Sequence, residues 1–187
     1  MTTIIESIQA EFNRYKTLGE AAIAQLSDAE LSTESPNGGN SIAVICWHVS
    51  GNLRSRFTDF LNSDGEKPWR ERETEFQPRN VTRAELHSKW HEGWEVLLET
   101  LANLTDEQLH LTVTIRRQPL QVHEALLRSL AHLSYHIGQI VYIAKATRGT
   151  EWAYLTIPPG KSDAYNQAPT MERAATHATK LSERARE

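Results

Sequence analysis

The stretch from Val122 to Thr147, VHEALLRSLAHLSYHIGQIVYIAKAT, decides the fold. Leu126, Leu130, Leu133, Ile137, Ile140 and Ala144 recur at three- and four-residue steps, so one helix face is apolar from end to end. A stripe of that length needs other helices to cover it. His132 and His136 lie in the same stretch, four residues apart, which offsets their side chains by only about 40° on a helix. Two imidazoles so placed can grip one metal ion from a single rigid element. The bland alternative is a pair of hydrogen-bonded histidines at a core edge. Ala125, Ser129 and Ile143 share their sector beside the leucine stripe.

Three further segments carry the same period. From Ile4 to Leu26 the stripe is Ile4, Ile8, Phe12, Tyr15, Ala22 and Leu26, with Thr3 and Glu6 at capping-box spacing. Pro36-Asn37-Gly38-Gly39 breaks any helix, and Asn40 or Ser41 can cap the next. That second helix, Ser41 to Leu61, shows Ile42, Cys46, Val49, Leu53, Phe57 and Phe60 on one face. A third starts at Thr82, with Glu85 completing a capping box and Val81 and Leu86 forming a staple, and runs through Trp90, Trp94, Leu97 and Leu101 to Leu104. Four amphipathic helices predict an all-α, four-helix bundle over residues 1–167, followed by a charged helical tail over 168–187.

The connections are less regular. Residues 62–80 form a long charged loop that leaves the helix directions open, and its Arg70-to-Glu75 run reads as solvated. Leu111 to Ile115 alternates like a short strand, with a turn at Arg116 to Pro119. Trp152 to Gly160 has two prolines and large apolar groups, which predicts an irregular segment packed back on one end of the bundle and available to wall a metal pocket.

Composition excludes several classes. In 187 residues the formal charge is -4, which gives no basic footprint for nucleic acid or anionic membrane. A single cysteine rules out an internal disulfide framework. No secretory signal and no membrane-spanning apolar run is visible, so a cytoplasmic protein is expected. The HLSYH pair lacks the glutamate of an HExxH protease, and no glycine-rich phosphate loop, GxSxG elbow or inward Glu-x-x-His pair occurs. The partner classes left open are a small-molecule substrate and a second copy of the chain in a homodimer.

A third metal ligand must come from another element, and His48 in CWHVSGNLRSRF is the best placed. Ser41, His48, Asn52, Arg56 and Asp59 form a polar strip on the second helix. Asn52 and Arg56, one and two turns past His48, are expected to line a pocket and orient an anionic substrate. Cys46 is turned about 200° from His48 and reads as a core thiol. His87 and His91 in HSKWH repeat the four-residue spacing. Periodicity alone does not separate that pair from His132 and His136, though an exposed boundary is the simpler reading and His91 an alternative third ligand. His110, His123 and His177 read as solvated.

Three stretches carry a resemblance: NSIAVICWHVSGNLRSRFTDF at 40–60, DGEKPWRERETEF at 64–76, and HLSYHIGQIVYIAK from His132 followed by the WAYLTIPPGKS tail. The chain resembles the DinB/YfiT-like metalloenzyme superfamily of bacterial four-helix bundles over roughly residues 1–167. In that superfamily one histidine of the second helix and an HxxxH pair of the last bundle helix bind a divalent metal. The resemblance therefore implies His48, His132 and His136 as ligands. Three neutral imidazoles with open positions suit zinc or nickel. Some relatives in the superfamily are S-transferases for low-molecular-weight thiols and one branch is hydrolase-like. The expectations are thus a metal-dependent small-thiol transferase, a metal-dependent hydrolase, or a non-catalytic, stress-associated metal-binding protein.

Overall fold

The computed structural model describes residues 2–35 and 38–184. Its helices are, in chain order, α1 (Ile4–Ile23), α2 (Asp28–Ser32), α3 (Ile42–Phe57), α4 (Arg72–Glu75), α5 (Arg83–Ala102), α6 (Val122–Arg148), α7 (Ser162–Asn166) and α8 (Ala174–Arg184). Capping chemistry fixes the starts. Thr3 accepts from the Glu6 N–H while Glu6 accepts from the Thr3 N–H, and Thr82 and Glu85 do the same for α5. Ser41 caps α3 by accepting from the Val44 N–H. Two ends fall short of the periodic reading. A second box, Ser27 with Glu30, starts α2 and so stops α1 at Ile23. Thr58 turns extended with ψ 122°, which ends α3 at Phe57, and Asp59 follows with a left-handed φ of 49°. Pro36 and Asn37 of the expected helix break lie outside the described residues.

The long helices close a ring in which α3 packs on α5 and α6, and α1 packs on α6 and α5. Thr100 near the end of α5 donates to the Phe57 carbonyl at the end of α3, so these two run parallel. Arg83 at the start of α5 reaches the Ile23 carbonyl at the end of α1, so that pair is antiparallel. The direction left open by residues 62–80 is thereby settled: the loop carries the chain back along the bundle. Close approach of α3 and α5 depends on Gly93, where a Cβ would come within 2.6 Å of Ser50 Cα. Phe12, Trp90, Trp94 and Phe57 fill the interior. Truncating a tryptophan there costs about 3–5 kcal/mol.

Between α5 and α6, β1 (Thr112–Ile115) and β2 (Gln118–Gln121) form an antiparallel hairpin. The turn is only Arg116-Arg117, and Pro119 belongs to the second strand rather than to the turn. Both arginines have positive φ, 53° and 61°, as a two-residue primed turn requires. The Asp64 carboxylate offsets that strain by accepting from both of their backbone N–H groups, at 2.8 and 2.7 Å. Hydrogen bonds from the Glu66 and Arg117 amides hold the Asp64 carboxyl down at about 2.

After α6, Trp152 and Leu155 are buried, and Ala153 exchanges two hydrogen bonds with the Gln25 side chain at the end of α1. The segment does pack back on one end of the bundle. α8 lies on α1 with Leu181 in the core. His177, expected in solvent, is instead 5 % exposed and 3.2 Å from the Leu155 carbonyl, because α8 folds over the irregular segment. No helix among the described residues is long and apolar enough to cross a membrane.

Candidate metal centre

His132 and His136 stand one turn apart on α6, and His48 reaches them from the antiparallel α3. The His132 Nε2 lies 3.3 Å from His48 Nε2 and 3.2 Å from His136 Nε2. One ligand atom from each of the three falls within 4.8 Å of the others. Nitrogens held about 2.1 Å from one ion at tetrahedral angles sit about 3.4 Å apart, so the spacing fits a single small cation.

Proton bookkeeping sharpens that fit. His48 Nδ1 is 2.9 Å from Glu75 Oε2, an acceptor, so Nδ1 is the nitrogen that donates there, which in a neutral ring leaves the lone pair on Nε2. His136 Nδ1 is likewise 2.9 Å from Gln139 Oε1. Between His132 Nε2 and these two lone pairs there is one proton at most, so one of the two contacts sets lone pair against lone pair. A cation among the three nitrogens removes that conflict. The buried Nδ1 of His132 has no hydrogen-bond partner among the described residues. Burial first, then the neighbouring imidazoles, push His132 down to about 3 from 6.5, and burial with the nearby His48 pushes His136 down to about 4. Both are therefore neutral, ligand-ready bases at neutral pH.

Glu75 and Arg70 were read as solvated, and the structure corrects this. Their side chains are 8 % and 2 % exposed. The Arg70 guanidinium grips the carboxylate with Nε to Oε1 at 2.8 Å and Nη2 to Oε2 at 2.9 Å. Burial raises the Glu75 pKa, but the hydrogen bonds from His48 and Arg70 outweigh it and the net shift is downward. Gly51 makes room: a Cβ there would overlap Glu75 Oε1.

A cavity of about 490 Å³ opens over the three histidines. Asn52, Arg56, Arg70, Arg72, Arg116 and Arg128 line it. No Asp or Glu side chain lines it among the described residues. Glu66 serves both Arg56 and Arg116, at 3.3 and 2.9 Å, so the walls keep a positive surplus. Of the remaining strip residues, Ser41 is spent as the α3 cap and Asp59 lies past the helix end. Cys46 faces the core, where burial pushes its thiol well up. The Trp152–Gly160 segment contributes nothing to the cavity wall.

The second HxxxH pair goes elsewhere. His87 and His91 are exposed, and His91 is 3.9 Å from Glu95 with 69 % of its side chain accessible. His110 is exposed, while His123 is half-buried and bonded to the Leu109 carbonyl. Sequence reasoning missed Glu75, Arg70 and Gln139. The available signal for the first two was the quoted DGEKPWRERETEF stretch, whose Phe76 packs 4.6 Å from the His48 ring.

No curated protein matches the chain. A family model described as "Protein of unknown function (DUF1572)" matches residues 1–161, nearly the whole bundle and its return segment, and the chain belongs to that family.

Proposed function

We propose that the protein is a divalent-metal-dependent enzyme of the DinB/YfiT type, with His48, His132 and His136 as ligands, that transfers a small anionic thiol to an electrophilic carbon. The observation that carries this reading is the open, arginine-lined cavity directly over three converging imidazoles. Neutral imidazoles suit zinc or nickel. A metal ion bound there supplies Lewis acidity, which lowers the pKa of a bound thiol or water.

The chain's own residues do the rest. Arg56, Arg116 and Arg128 hold the anionic groups of the substrate, and Asn52 offers an amide for orientation. Fixing the sulfur against the electrophile lowers the entropic part of the barrier. In the transfer the thiol proton passes to solvent, sulfur bonds to carbon, and the leaving group departs as an anion. A tight site with a free carboxylate beside the water would favour a hydrolase. No Asp or Glu lines the cavity among the described residues, and both oxygens of Glu75 are taken by Arg70 and His48.

The test is thiol consumption with a bimane or dinitrobenzene electrophile, comparing a carboxylate-bearing thiol with uncharged mercaptoethanol. The expected result is a metal-dependent rate that favours the anionic thiol and vanishes in His132→Ala. Metal-dependent ester or amide hydrolysis without thiol transfer would replace this reading with the hydrolase.

A further inference from the structure

The three histidines are not held alike. His48 faces a carboxylate, His136 an amide oxygen, and His132 nothing through Nδ1 among the described residues. The carboxylate comes from a crossover segment 27 residues away rather than from the bundle. Three independent features serve that one contact. Arg70 clamps both oxygens of Glu75. Arg79 fastens the end of α4 by donating to the Thr74 and Glu75 carbonyls at 2.6 and 3.2 Å. Gly51, on the same helix as His48, leaves the space that Glu75 Oε1 occupies.

We propose that Glu75 is a positioning residue for the metal centre: it pins His48 in the Nδ1–H tautomer and aims its Nε2 lone pair at the ion. The inference rests on the three-histidine metal reading. A ligand imidazole that donates its other N–H to a carboxylate is oriented and made a stronger donor, and loss of such a partner typically costs 10–100-fold in metal affinity. Arg70 has its own part in this. Its bidentate grip holds the carboxylate in place against His48. Gly51 is the sequence-level condition for the arrangement, because any larger residue on that face of α3 displaces the carboxylate.

The experiment uses the full-length protein without a histidine tag and reads two quantities. In apo protein labelled with ¹⁵N-histidine, long-range ¹H–¹⁵N correlations report the His48 tautomer. Competition against a chromophoric chelator reports the zinc dissociation constant. Wild type should show the proton on Nδ1. Glu75→Ala should lose that preference and bind zinc about 10–100-fold more weakly. Glu75→Gln, whose amide oxygen can still accept, should keep the tautomer and recover much of the affinity, a rescue that a purely structural role would not give. Gly51→Ala should resemble Glu75→Ala. The proposal is overturned if wild-type His48 carries its proton on Nε2, or if Glu75→Ala binds zinc within twofold of wild type. The wild-type tautomer needs no variant, so a misfolded mutant leaves the question decidable. A wild type with the Nδ1–H tautomer and no zinc affinity would instead sink the metal reading, and Glu75's role toward the ion with it.

Discussion

Two HxxxH pairs lie on diagonally opposed helices of one bundle, and they have opposite fates. His132 and His136 converge with His48 in a site where burial pushes both down, to about 3 and about 4. His87 and His91, with identical spacing, stand in solvent on α5. The difference lies in what each helix face meets. The α6 pair looks across to α3, whose Gly51 admits a crossover carboxylate behind the third histidine. The α5 pair faces outward, where His91 approaches Glu95. Spacing makes a ligand pair possible, and the facing element makes it a site.

The sharpest way to break this contrast is substitution. His132→Ala removes the nitrogen that the other two share, and bound metal should fall to a few per cent of wild type when measured by elemental analysis. Next in size is acid. In the unfolded chain the histidines take up protons below about pH 6.5, whereas folded His132 and His136 stay neutral until about 3 and 4. The stability they contribute is full above pH 6.5 and is lost progressively as pH falls from there toward 3. Thermal melts of apo protein should therefore show a midpoint that drops from pH 6.5 to 4, and a His132→Ala/His136→Ala variant should show a smaller drop. An unchanged slope in that variant would place the acid sensitivity elsewhere.

A smaller effect concerns the cavity. Arg128→Ala should raise the KM for an anionic thiol several-fold with kcat and metal content nearly unchanged, because it lines the cavity without a hydrogen bond or ion pair to the three histidines among the described residues. The smallest belongs to the outer pair. His87→Ala with His91→Ala should stay within about 0.5 kcal/mol of wild-type stability, as exposed substitutions usually do. A sharp loss of metal in that variant would reverse the assignment of the two pairs.

The bundle was legible because its helices announce themselves by period. Leu126 to Ala144 on α6 and Leu86 to Leu101 on α5 are stripes that sequence alone displays, and the Thr3–Glu6 and Thr82–Glu85 boxes mark true starts. The histidine cluster was half legible, since α6 spacing gave two of its members, but only contact between α3 and α6 joins His48 to them. Glu75 was not legible. It sits in a charged, aperiodic crossover where every neighbour reads as solvated, and its burial is decided by a missing side chain on a different helix. His177 escaped for the same reason: its partner is a backbone carbonyl 22 residues away, in a segment without period.

The central claim is that three imidazoles from α3 and α6 hold one ion. Elemental analysis of untagged protein, dialysed after incubation with zinc or nickel, tests it most directly when wild type, His48→Ala and His87→Ala/His91→Ala are run together. The account predicts about one ion per chain in wild type and in the outer-pair variant, and far less in His48→Ala. Equal metal in wild type and His48→Ala, or none in either, would contradict it.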